Sequence, residues 1–214
     1  MNIAQIVISL FVALFAITIH EASHGWAAAK MGDPTAESMG RVSLNPAAHI
    51  DLIGTILLPL ILVIFHQPVF GWAKPVPVNP YNLRHPRRDN LWISLAGPGA
   101  NLLAAGAALV LFLVLKNITL GLTGSAFLIK IVSGVGLILF LALEINISLA
   151  VFNLIPVPPL DGSGILSGLL SDEAAAAYDR LRPYGIIIIV VLVYTNVLNL
   201  LFAPIQRLLE ILIR

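Results

Sequence analysis

The stretch NIAQIVISLFVALFAITIHEASHGWAAAKMGDP, residues 2–34, decides the fold. It opens with an apolar run of membrane-crossing length, about 20 residues for a helix. The run ends in His20-Glu21-Ala22-Ser23-His24. On a helix, positions i and i+4 share a face, so both imidazoles can reach one metal ion. Glu21, beside the first histidine, is placed to take a proton from a metal-bound water. Ionisable groups are costly at the end of a membrane-length helix, so they demand a purpose there. The bland alternative, a polar patch packed on other polar groups, leaves that cost unanswered. Gly32-Asp33-Pro34 stops the helix, which gives a first span over about 3–30.

Composition agrees with a membrane solvent. Hydrophobic residues make up 58% of the chain and charged residues 11%, with a mean hydropathy of +0.95. Soluble domains carry about 25% charged residues. The predicted class is an all-α polytopic membrane protein, read as one domain over 1–214, with the lipid bilayer as its surroundings. A net charge of +1 without a long basic tract gives no reason to expect nucleic acid. There is no cysteine, so disulfides and thiolate ligands are excluded, and any metal is held by histidine and carboxylate. A cleaved signal peptide over 1–19 is rejected. Its n-region lacks Lys and Arg, and the small residues Ala27 to Ala29 lie beyond the HExxH motif.

Further spans are expected at about 89–115, 125–154 and 184–202. The 51–66 segment is apolar but short, and Pro59 interrupts it. Residues 35–50, TAESMGRVSLNPAAHI, alternate enough to predict a short strand and a turn at Asn45-Pro46. The Pro/Val-rich stretch FGWAKPVPVNPYNL (70–83) predicts an edge strand or small β-hairpin. A short helix is expected over 163–170, an amphipathic surface stretch over 171–183, and an interfacial helix in the C-terminal QRLLEILIR. Lys30, Arg41, Lys74, Arg84, Arg87 and Arg88 all fall between the first two spans, while the next loop has only Lys116 and Lys130 at its edges. That bias puts the first connection on the cytoplasmic side. It makes 51–66 re-entrant or a short helical hairpin and brings HExxH near the cytoplasmic face. AGPGAN (96–101) reads most simply as a helix-packing device of small residues.

A catalytic zinc site takes three protein ligands and keeps one position open. His49, His66 and His85 lie in loops or at segment edges. Asp161 is the more attractive third ligand, because Pro156, Pro158 and Pro159 extend the chain before it and Gly162 permits close approach. Asp161 could instead cap the helix that follows. Asn153 could satisfy backbone groups freed by those prolines. Glu144 and Asn146 lie inside the third span, where Glu144 is either structural or part of a water path. His49 and Asn146 are candidates for secondary active-site groups. Arg84, Arg87 and Arg88 suit an anionic lipid surface, with substrate contact as the alternative.

HEASH in a first helix, AGPGAN in a middle one and NLIPVPPLDG after a later one resemble the site-2 protease family of intramembrane zinc metalloproteases. The motifs cover residues 20 to 162 and match compact prokaryotic members that lack a PDZ-like or nucleotide-sensing domain. The resemblance implies one Zn2+ held by His20, His24 and Asp161, with Glu21 as the catalytic carboxylate. It also implies Asn153 as a group assisting the substrate or transition state. The implied substrate is a membrane protein, cut in or next to a transmembrane segment at the prokaryotic cytoplasmic membrane. An edge at Trp72, Ala73, Lys74 and Val76 could hold the unwound substrate by strand addition, although Pro75 and Pro77 remove donors. A metal or proton transporter is the competing class, but no repeat of the transporter kind is found. A non-cutting scaffold is the third class, and the intact Glu21 speaks against it.

Overall fold

The computed structural model describes residues 3–65, 71–120 and 126–213. Its first helix, α1 (Ile3–Met31), ends at Gly32, whose φ of +110° is open to glycine and closed to most other residues. A single helical turn, α2 (Thr35–Ser38), follows, then a turn at Pro46–Ala48 capped by Asn45. A π-helical turn (Leu52–Leu57) runs directly into α3 (Leu58–Ile64). Two long helices come next, α4 (Pro86–Leu120) and α5 (Ala126–Asn153). The remaining helices are α6 (Asp161–Leu169), α7 (Asp172–Asp179), α8 (Gly185–Tyr194) and α9 (Leu198–Ile213).

Three helices, α1, α4 and α5, are long and apolar enough to cross a bilayer. They pack through small residues. Ala27 and Ala28 of α1 bury against Ile93 of α4 and Leu83, and Ala105 and Ala108 of α4 against Leu143 of α5 and Leu209 of α9. Small side chains let helix backbones approach closely where no hydrophobic force between helices exists in lipid. The opposite faces carry large exposed apolar groups such as Phe11, Leu103 and Phe127. In water that pattern is a liability, and in lipid it is the solvated surface.

Three expectations change. The fourth span over 184–202 is not continuous. The chain breaks after Tyr194, Asn196 takes a φ of +58°, and the two arms meet at 57°. Thr195 and Asn196 carry the break, because Thr195 Oγ1 bonds back to Val191 O and asparagine tolerates the left-handed conformation. The strand expected within 35–50 is the helical turn α2, with the turn at Asn45-Pro46 as expected. Among the described residues there is no β-strand, so the hairpin expected in 70–83 is not formed by residues 71–83. Phe70 lies outside the described residues, as does His66 at the end of the segment expected to be re-entrant.

Residues 71–79 instead form an extended strap held by single hydrogen bonds to separate elements. Trp72 N donates to Gly54 O (3.1 Å) and Lys74 N to His49 O (2.9 Å). Val76 N donates to Glu21 Oε2 (3.0 Å), and Asn79 N to Asp33 Oδ2 (2.6 Å). The Arg41 guanidinium donates to Lys74 O (2.5 Å). Proline at 75, 77 and 80 removes alternate donors, so no ladder can propagate.

Candidate metal centre

His20 and His24 sit one turn apart on α1, with ring centroids 4.6 Å apart and planes at 84°. Both are nearly buried, at 7% and 9% exposure. Asp161 is the first residue of α6 and comes to them from the other end of the chain. Its Oδ2 lies 3.0 Å from His20 Nε2 and its Oδ1 lies 3.3 Å from His24 Nε2. One ligand atom from each residue falls within 4.8 Å of the other two, the one such group of three among the described residues.

The local sequence explains how Asp161 arrives. The prolines after α5 keep residues 154–160 from continuing the helix. Leu160, extended at ψ 155°, is the N-cap of α6 and makes no side-chain cap bond. Asp161 is therefore not the cap, and its carboxylate is left to face the histidines. Gly162 is required beside it, because a Cβ there would stand 2.5 Å from Ile155 O. Tyr178 Oη ties the turn down at Pro156 O (2.8 Å). The Asp161 carboxylate sits in the first turn of α6, at a helix N-terminus that favours negative charge.

The donor set fits a divalent cation. Asp161 Oδ2 is buried and accepts no hydrogen bond, a costly state unless a cation completes it. His24 Nδ1 lies 2.7 Å from Ile93 O. A carbonyl can only accept, so Nδ1 carries the proton and Nε2 offers its lone pair inward. His20 Nδ1 is held the same way, 2.6 Å from Asn101 Oδ1. Gly97 lets α4 pack directly against both rings, since a Cβ there would stand 2.6 Å from His24 Cε1 and 2.7 Å from His20 Cε1. Two imidazoles and one carboxylate with their ligand atoms within 4.8 Å of one another are the chemistry of a catalytic zinc site.

Glu21 is half-buried, one residue from His20, and its Oε2 accepts the Val76 amide. Asn153 ends α5 and donates Nδ2 to Leu149 O (2.9 Å). Asn146 is buried and hydrogen-bonded to Asn101 (2.8 Å), so it meets the site through that residue. His49 is almost fully buried beneath the strap, with Nε2 2.9 Å from Ser43 O, and does not join the three-residue cluster. Trp72, Ala73, Lys74 and Val76 lie on the strap, of which Val76 reaches Glu21. Glu144 is half-buried on α5. Arg87 pairs with Asp172 and donates to Ser167 O (2.9 Å), which clamps α4 to α6 and α7.

Sequence reasoning missed Gly97 and Asn101, which it assigned to helix packing. The signal was present in their spacing. They are four residues apart, the interval that puts His20 and His24 on one face.

Two histidines and a glutamate on a helix of bilayer length, met by an aspartate from a short helix, define a metal-dependent hydrolase of the membrane. The chain belongs to peptidase family M50, whose model matches residues 8–195, and is thereby a metalloprotease of the site-2 protease kind. It is 36% identical over 190 residues to "Putative zinc metalloprotease YwhC" of Bacillus subtilis (strain 168), covering 89% of this chain and 80% of that protein. It is 30% identical over 187 residues to "Putative zinc metalloprotease Rip2" of Mycolicibacterium smegmatis (strain ATCC 700084 / mc(2)155), covering 87% of this chain and 66% of that protein. No solved structure matches the chain.

Proposed function

We propose that this chain is an intramembrane zinc endopeptidase that hydrolyses peptide bonds in or next to transmembrane segments of other membrane proteins. One observation carries the reading: His20, His24 and Asp161 converge beside Glu21, with an Asp161 oxygen buried and unpartnered. His20 Nε2, His24 Nε2 and the Asp161 carboxylate would hold one Zn2+. When bound, the ion polarises the scissile carbonyl and makes water acidic enough to use near neutral pH.

The chain's own residues do the rest. The Val76 amide holds Glu21 at Oε2, which leaves Oε1 to take a proton from the attacking water and return it to the departing amide nitrogen. Asn153 keeps a second amide hydrogen beyond the one given to Leu149 O, and we assign it to the developing oxyanion. The His49 carbonyl anchors Lys74 N, a backbone contact that holds the strap without using the imidazole.

The strap bears on substrate binding. Successive residues of an extended chain turn their backbone groups to opposite sides. The amides of Trp72, Lys74 and Val76 are all spent inward. The outer edge offers the Ala73 amide plus carbonyls, since Pro75 and Pro77 have no N–H. A substrate strand there gains one donor and the carbonyls of Ala73 and Pro77, while Pro75 O already accepts from Arg41 (3.3 Å). A cavity of about 240 Å³ beside the HExxH turn, between Ile19, Ala22, Ser23 and Trp26 of α1 and residues 42–44, gives an apolar segment a place to lie. The Lys and Arg between α1 and α4 support the reading that this end of the molecule faces the cytoplasm of a prokaryotic cell.

The test is metal content of the purified protein beside Asp161→Ala. About one zinc per chain, lost in the variant, is expected. A well-folded wild type without zinc refutes the reading. Glu21→Gln, assayed in proteoliposomes against transmembrane peptides with a helix-breaking residue, should keep its zinc and lose about 10²–10⁴-fold in cleavage.

A further inference from the structure

Asn101 of α4 is fully buried, and its polar atoms have partners on two other helices. Its Oδ1 lies 2.6 Å from His20 Nδ1. Its Nδ2 donates to Ala16 O of α1 (3.0 Å) and to Asn146 Oδ1 of α5 (2.8 Å). Asn146, also buried, donates its own Nδ2 to Ala142 O (2.8 Å).

The direction of this network is fixed at its far ends. Ala142 O can only accept, so Asn146 must turn its NH2 there and its oxygen to Asn101. Ala16 O can only accept, so Asn101 must turn its NH2 there and its oxygen to His20. An amide oxygen cannot donate, so the proton of the neutral His20 ring is on Nδ1. Its Nε2 is then a bare lone pair aimed at Asp161. Neither amide can flip without putting NH2 against NH2 or oxygen against oxygen in a buried site, about 1–3 kcal/mol for each group left unpaired.

We propose that Asn101, itself oriented by Asn146, is a positioning residue that fixes the tautomer and ring plane of His20 for metal binding through Nε2. This rests on the metal-site reading above. A ligand histidine commonly gives its second ring N–H to an outer partner, and loss of that partner typically weakens metal binding 10–100-fold. Here the partner spans three helices. α5 carries Asn146 and also leads, through residues 154–160, to Asp161, so one helix governs both His20 and the third ligand.

The experiment uses the full chain in detergent, stripped of metal, with zinc affinity read by chelator competition and ligand geometry by the visible spectrum of the Co2+-substituted protein. Asn101→Leu should bind zinc about 10–100-fold more weakly and lose the tetrahedral Co2+ bands. Asn146→Leu, which removes only the outer support, should weaken binding less. Asn101→Asp keeps an acceptor for His20 Nδ1 but loses the donor to Asn146 Oδ1, so it should bind zinc more weakly than wild type and more tightly than Asn101→Leu. In a buried site the acid can stay neutral, accepting from His20 Nδ1 on one oxygen and donating O–H to Ala16 O from the other. A folded Asn101→Leu that binds zinc like the wild type, with an unchanged Co2+ spectrum, overturns the proposal. So does an Asn101→Asp as weak as Asn101→Leu. If the leucine variant fails to fold, Asn101→Ser, which leaves room but cannot reach His20, is read in its place. Wild type that binds no zinc refutes the metal-site reading itself, a separate result from either of these.

Discussion

Gly97→Ala places one methyl group against both histidines. The added carbon would stand 2.6 Å from His24 Cε1 and 2.7 Å from His20 Cε1, and closer still to His24 Nε2. Carbon atoms at ease are about 3.5–4.0 Å apart, so the overlap is about 1 Å on each of two rings. Relief requires the rings to swing. His24 cannot do so without stretching its 2.7 Å bond to Ile93 O, and metal–ligand distances tolerate only about ±0.2 Å. Overpacking of this kind costs about 1–3 kcal/mol. At about 1.4 kcal/mol per factor of ten, that is roughly a 5- to 150-fold loss of zinc affinity if the strain falls on the ligands. Chelator competition on the purified protein reads the affinity, and thermal unfolding shows whether the strain went into helix packing. Gly99→Ala and Gly106→Ala are the controls in the same helix, since a Cβ at either position meets nothing within 4 Å. Both should bind zinc like the wild type. If Gly97→Ala matches its controls in affinity and in Tm, the rings do not abut Gly97 as these distances require, and the reasoning fails.

Asp33 is fully buried and accepts from Thr35 N, Thr35 Oγ1, Asn79 N and Asn82 Nδ2. Burial pushes its carboxyl up, but those bonds outweigh it and hold it below the usual carboxylate range. A depressed carboxylate stabilises the fold above its unfolded pKa, and the gain is lost as pH falls through the folded value. Asp33→Asn should therefore be less stable than wild type by about 1–3 kcal/mol at pH 7, with the gap closing below about pH 4; a gap independent of pH refutes this. Replacing residues 72–78 with Gly and Ser should leave zinc content near that of wild type and reduce cleavage, because Glu21 loses the Val76 amide and the substrate loses its edge. Unchanged cleavage would remove the strap from the mechanism.

What could be read in the sequence differed by the kind of signal. The HExxH spacing is a property of one helix, so geometry fixed on α1 brought His20 and His24 together without any tertiary knowledge. Asp161 needed a broken helix to deliver it, and the three prolines before it announced the break. The break at Thr195-Asn196 was written in two polar residues within an apolar run, but run length weighed more than they did. The strap misled because its Val and Pro composition reads as strand. Strand formation needs one neighbouring chain in register, and the partners here are Gly54, His49, Glu21 and Asp33, from four places in the sequence. Asn101 shows the deeper limit. Small residues in a membrane helix already have a sufficient explanation in packing, so the asparagine among them was absorbed into it. Yet a carboxamide on a packed helix face must find partners in the same tight space, and in lipid no water supplies them. Gly97 and Asn101 thus share one cause. The close approach that the glycine permits is what puts the amide within reach of His20, so the packing motif and the metal site are one construction.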